Sequence, residues 1–67
     1  MQVVDVVEAR RERFGMPVAE LSRRTGIEYQ ALNNALSKKR GLSASELVLI
    51  CKELGLDIED FDDGDDD

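Results

Sequence analysis

Apolar residues recur along this chain at helical spacing. Across residues 17–36, PVAELSRRTGIEYQALNNAL, they fall at Ala19, Leu21, Ile27, Leu32, Ala35 and Leu36. This pattern predicts two short helices, 18–24 and 28–36, each turning one side toward a shared core. Thr25-Gly26-Ile27 joins them as a tight turn. Gly26 stands just past the first helix, where the backbone must take a positive φ that glycine adopts at no steric cost.

The flanking segments supply the rest of the core. In VVDVVEARRERF, residues 3–14, the positions Val3, Val7, Arg10 and Phe14 share a stripe, with Val4 and Val6 beside it. Clustered valines also suit a strand. EARRER favours helix, however, and no second strand-like segment exists to pair with, so the pattern predicts a helix that Gly15 ends. Pro17 suits the first turn of the next helix, where a missing N–H costs nothing, although no Ser, Thr, Asp or Asn caps that start. Residues 37–42 read as a polar, basic loop. Ser43 and Glu46 form a capping box that opens a helix over 44–54, with Leu47, Ile50, Cys51 and Leu54 inward. Gly55 stops it, and Leu56, Ile58 and Phe61 predict a last short turn folded onto the core. The expected fold is all-α, a compact domain of four to five helices over residues 1–61. The acidic residues 62–67 have nothing to bury and are expected to be a disordered tail. No internal repeat is visible.

Composition narrows the function. With 67 residues, aromatics at 4% and hydrophobic residues at 42%, the chain supports one small aliphatic core. A single Cys51 excludes an intramolecular disulfide, and the lack of histidine removes the usual zinc-finger ligands. Cys51 lies on the apolar stripe and reads as core, not as a reactive thiol. No nucleophile elbow or phosphate loop is present, and the terminal acids lack the glutamate that a calcium loop needs after its glycine. No enzyme activity, cofactor, metal or small-molecule substrate is expected. No apolar run approaches the roughly 18 residues needed to cross a bilayer. The first residues, MQVVDVVEAR, lack the layout of a signal peptide. A cytoplasmic setting without membrane partners is the expectation.

Net charge is −6, which taken whole disfavours a phosphate partner. The distribution changes that picture. Residues 57–67 hold eight acids and no base, leaving seven acids against nine bases, a net +2, in residues 1–56. A mildly basic body carries a strongly acidic end.

Two features of the body suit DNA. Tyr29, Gln30, Asn33 and Asn34 lie on one face and its shoulder in the second predicted helix. Asn and Gln amides can pair with the edge of adenine, and two adjacent asparagines in mid-helix cost stability that a plain surface would avoid. Lys38, Lys39 and Arg40 follow at once, placed to lie along phosphates if that helix enters a major groove. Arg10, Arg11, Arg13, Arg23 and Arg24 read mainly as structural. Arg11 is expected to pair with Glu20 or Glu46, and Arg23 and Arg24 suit the negative end of their helix.

Three stretches, EARRERFGM, AELSRRTGI and LSASELVLICKELGLDIEDF, together resemble the lambda-repressor-like (XRE-type) helix-turn-helix regulators of phages and bacteria. The resemblance spans roughly residues 3–61. It implies a five-helix domain whose recognition helix starts near Glu28, with Tyr29, Gln30, Asn33 and Asn34 where family members read bases. It also implies backbone contacts from Ser37, Lys38, Lys39 and Arg40, and a homodimer on a palindromic operator. Leu42, Leu56 and Phe61 are candidate interface residues, each equally suited to the core. The chain departs from the pattern at Val18, where the family often has a phosphate-gripping Gln, and at Pro17, where a Ser cap is usual. Glu28 places a carboxylate near the path of the phosphates.

The leading expectation is therefore sequence-specific binding of double-stranded DNA by a small phage or bacterial transcriptional regulator of the repressor kind. The other is a protein-interaction module on the same fold, an antirepressor or inhibitor acting through its acidic surface.

Overall fold

A computed structural model describes residues 2–61. Among these residues four α-helices follow one another, α1 (Val3–Arg13), α2 (Val18–Thr25), α3 (Tyr29–Leu36) and α4 (Ala44–Leu54), and a 3₁₀ turn, Ile58–Phe61, comes after α4. No strand occurs among the described residues. The expected tail over 62–67 lies outside them.

Helix α2 packs against both α3 and α4, and α1 lies against α3, α4 and the 3₁₀ turn. Each helix contributes apolar residues to one core: Val7, Leu21, Leu32, Ala35, Leu36, Ile50 and Leu54, joined by Ile27 and Leu56 from the turns. It is aliphatic throughout. Of the inward stripe expected on α4, Ile50 and Leu54 are buried, while Leu47 and Cys51 are half-buried against them. Burial pushes the Cys51 thiol above its ordinary value, and the nearby Asp60 and Asp57 charges add to this, so the reactive thiolate is disfavoured.

Helix α1 departs from the expected stripe. Only Val7 is fully buried; Val4 and Val6 pack beside it, and Val3 and Phe14 are exposed. The reason is where the helix stops. Phe14 is already the C-cap, and Gly15 at φ 65° turns the chain away from the core. Arg10, on the same stripe, reaches across the domain instead. It donates to the carbonyls of Leu54 (3.0 Å) and Gly55 (3.3 Å) and to Asp60 Oδ1 (3.2 Å), satisfying the open end of α4. Its guanidinium lies 5.8 Å from the centre of the Phe14 ring. Arg11 pairs with neither Glu20 nor Glu46. It forms a two-pronged bond to Glu8 (2.9 and 2.6 Å) and donates to the Met16 carbonyl (2.8 Å). A partner one turn back on its own helix is closer than any across the fold.

The turn between α2 and α3 is tied by side chains. The buried Thr25 hydroxyl donates to the Leu21 carbonyl (2.8 Å) and accepts from the Ile27 N–H (3.2 Å). Ser22 donates to the Ile27 carbonyl. These bonds extend α2 one residue beyond the expected end and fix Ile27 in the core. Pro17 is the N-cap and not a first-turn residue, with an extended ψ of 155° and no side-chain bond to offer. The expected capping box of α4 is present: Ser43 Oγ accepts from the Glu46 N–H (3.2 Å), and Glu46 Oε1 from the Ser43 N–H (3.0 Å).

Candidate nucleic-acid interface

The sequence folds α3 so that Leu32, Ala35 and Leu36 are buried, which dictates what faces out. At 100° per residue, Gln30 falls near the centre of the opposite side, with Asn33 and Asn34 to either flank and Tyr29 at the margin. Tyr29 and Gln30 are exposed, whereas Asn33 and Asn34 are half-buried. Gln30, Asn33 and Asn34 thus share the outward face, and Tyr29 stands at its shoulder, beside the line of buried Leu36. They are neutral, and none of their side chains is engaged in a hydrogen bond within the described residues, so their donors and acceptors are open to an outside partner.

Glu28 has a structural role that the sequence did not reveal. It is the N-cap of α3, and its Oε1 accepts the Ala31 N–H at 2.9 Å. A carboxylate there is stabilised by the positive end of the helix, and its charge is directed at its own backbone.

The other end of α3 is built differently. Ser37 is the C-cap, and Lys38 takes a left-handed conformation with φ 67°. The Lys38 N–H bonds to the Ala35 carbonyl (3.1 Å) and the Lys39 N–H to the Asn34 carbonyl (2.8 Å), the paired closure that usually places glycine at the left-handed position. Among the described residues, Lys38 is the only non-glycine with positive φ.

The four candidate backbone-contacting residues separate into two groups. Ser37, Lys38 and Lys39 are exposed, while Arg40 is turned inward. Its Nε donates to the Ala31 carbonyl (3.0 Å), Nη1 to the Gly41 carbonyl (2.8 Å) and to Glu46 Oε1 (3.1 Å), and Nη2 to Glu46 Oε2 (3.0 Å). A guanidinium has five N–H groups, so about one remains for any outside acceptor. This pair holds the Glu46 carboxyl down at about 2, with the Arg40 hydrogen bond the largest cause and the bond from the Ser43 backbone next. Lys38 Nζ lies 2.9 Å from Asp5 Oδ1 on α1. Neither carboxylate was anticipated at this loop. Glu46 stands six residues from Arg40, close enough to have been considered, but no local pattern links Asp5 to Lys38.

Elsewhere, Arg23 and Arg24 both pair with Glu20, and Arg24 also approaches Glu53 at 3.9 Å. This agrees with their structural reading. Val18 is half-buried against the core. No group of histidine, cysteine or acidic residues able to hold a metal occurs among the described residues. No helix among them is long and apolar enough to cross a membrane.

Two helices joined by a tight, side-chain-locked turn, the second presenting open amides beside a basic loop, define a helix-turn-helix DNA-binding architecture. A family model described as the Cro/C1-type HTH DNA-binding domain matches residues 10–63, and the chain belongs to that family. Its function is DNA binding, and the family is not an enzymatic one. No curated protein sequence and no solved structure matches the chain significantly.

Proposed function

We propose that this protein is a sequence-specific transcriptional repressor of the phage or bacterial kind, acting in the cytoplasm. In this reading α3 enters the major groove of operator DNA. Gln30, at the centre of the outward face, with Asn33, Asn34 and Tyr29, chooses the site. Ser37, Lys38 and Lys39 set the register on the phosphates, with Arg40 contributing mainly by holding the loop in shape. The observation that carries the reading is the outward face of α3, where neutral amide side chains stand unengaged next to exposed cations. Residues 1–61 act as the binding domain, and the acidic residues 62–67 oppose its approach to phosphate.

The reading includes a homodimer on a palindromic site. What supports a contact surface is a shallow groove of about 340 Å³ between α4 and the 3₁₀ turn, where Val48 and Ile58 are exposed beside half-buried Phe61. Ile58 is 85% exposed, unusual for an isoleucine. Of the residues expected at an interface, Leu56 is buried in the core, and Leu42 and Phe61 are half-buried.

The test is selection of binding sites from random duplex DNA. A palindromic consensus is expected for the wild type. Gln30→Ala with Asn34→Ala should abolish the preference while sparing weak, salt-dependent binding. An unchanged consensus in the double variant would overturn this assignment of base-reading residues. Failure of the chain to shift any duplex at low salt, with or without residues 62–67, would favour the protein-interaction module.

A further inference from the structure

The loop after α3 carries three consecutive cations, and the fold treats each one differently. Arg40 is held by Glu46 and two carbonyls and acts as a staple. Lys39 is exposed and has no ion-pair partner among the described residues. Lys38 is intermediate: it is ion-paired, but to a carboxylate that is itself open to solvent, with the two side chains 51% and 42% exposed.

We infer that Asp5 is a built-in competitor for Lys38, occupying the ammonium that a DNA phosphate would otherwise take and so lowering the affinity of the loop for any duplex. The inference rests on the proposal that this loop lies along the DNA backbone. Three observations carry it. First, the backbone under Lys38 is fixed by two hydrogen bonds, so moving from carboxylate to phosphate requires only rotation of a long side chain. Second, Asp5 is anchored independently of Lys38. It sits in the first turn of α1, and its other oxygen faces the Gln2 N–H at 3.4 Å, a contact that does not involve the lysine. Third, the pair is single-pronged and solvent-exposed, the kind that exchanges easily, unlike the two-pronged Arg40–Glu46 pair on the same loop. The Lys38 hydrogen bond is also the largest cause holding the Asp5 carboxyl below its ordinary value.

Competition of this kind has a signature in salt dependence. A lysine that binds phosphate releases a counterion from DNA. While Asp5 holds the ammonium, Lys38 neutralises no phosphate and releases no counterion, so the net release is smaller by about one. Removing Asp5 should restore it.

The experiment uses the full chain and a short duplex of arbitrary sequence, titrated over a range of salt. Asp5→Asn, which keeps an acceptor for the Gln2 N–H, is expected to tighten binding about two- to fivefold at low salt. It should also steepen the plot of log affinity against log salt by about 0.9. In a Lys38→Gln background the same substitution should lose most of this effect. Glu59→Gln, which removes an equal charge elsewhere, should leave the slope unchanged. Equal tightening by Asp5→Asn with and without Lys38 would overturn the inference, because the effect would then be one of overall charge. No tightening, or weakening, would overturn it as well. Carboxyl titration by NMR without DNA tests the latch by itself: the Asp5 value should rise in Lys38→Gln, and an unmoved value would overturn the pairing. Failure of every variant to bind any duplex, with the Asp5 titration shifted as expected, would instead overturn the DNA-backbone proposal and leave the latch standing.

Discussion

Helices α1, α2 and α4 leave their last turns through Gly15, Gly26 and Gly55, at φ 65°, 78° and 67°. Helix α3 leaves through Lys38 at the same angle, 67°. The geometry is shared and the chemistry is not. A side chain in the left-handed region costs about 1–2 kcal/mol that glycine avoids. Three ends are therefore built for turning, and the fourth keeps a cation where turning alone would select glycine. That fourth end belongs to the helix that presents Gln30 and the asparagines, and non-glycine residues held in this region gather at functional sites. The difference fits the proposal that this end of α3 meets the DNA, while the other three serve the fold.

The largest effect that would break this comparison is at Arg40. Its bonds fasten the loop after α3 to Ala31, Gly41 and the start of α4. Arg40→Ala should lower the denaturation midpoint more than any other substitution in this loop, because it leaves Glu46 without its cation and frees the loop that carries Lys38. Chemical denaturation measures this, and a loss no larger than that of the control Lys39→Ala would show that the loop is not stapled.

Next come the helix ends themselves. A Cβ at Gly26 would meet nothing within 4 Å, so Gly26→Ala isolates the conformational penalty and should cost about 1 kcal/mol. Lys38→Gly should do the opposite, stabilising by up to about 1 kcal/mol, since the relief of backbone strain exceeds the loss of an exposed ion pair. The same substitution should weaken duplex binding. A variant that is more stable and binds less well would be direct evidence that stability is given up for function at this end of α3. If Lys38→Gly is neutral on both counts, the comparison loses its meaning.

The smallest effect is in acid. The Glu46 carboxyl is held at about 2 against an ordinary 4.5, lowered chiefly by Arg40. Its charged form is favoured by folding, so its contribution is complete above about pH 4.5 and disappears as pH falls through 4.5 toward 2. Glu46→Gln should flatten that part of the stability curve, discounted for the partial exposure of the pair. An equally steep acid limb in the variant would assign the loss to other carboxylates.

Much of the helical layout is legible in the amino-acid sequence. The α3 and α4 boundaries follow from apolar spacing, from Gly55 and from the Ser43–Glu46 box. The tight turn follows from Gly26, and the outward face of Gln30, Asn33 and Asn34, with Tyr29 at its shoulder, follows from helical periodicity. The α1 stripe was misplaced at its ends, because periodicity carries no information about where a chain turns away from its core. Phe14 satisfies the spacing and still lies outside. Glu28, a carboxylate expected near the path of the phosphates, also caps α3, a role its sequence position does not reveal.

The helices, the turn, the family and most of the inward positions follow from the sequence alone, although Val3, Phe14 and Ala19 fit the pattern and are exposed. All of these depend on residues within about one or two turns of each other, where backbone hydrogen bonding and side-chain spacing act directly. Only the tertiary structure decided how the charges are used. Arg10 finds its partners near residues 54 and 60, Arg40 closes on Glu46, and Lys38 meets Asp5 from the far end of α1. The physical reason is reach. A long cationic side chain can span to any carboxylate within several ångströms, and packing selects which of those among the described residues comes that close.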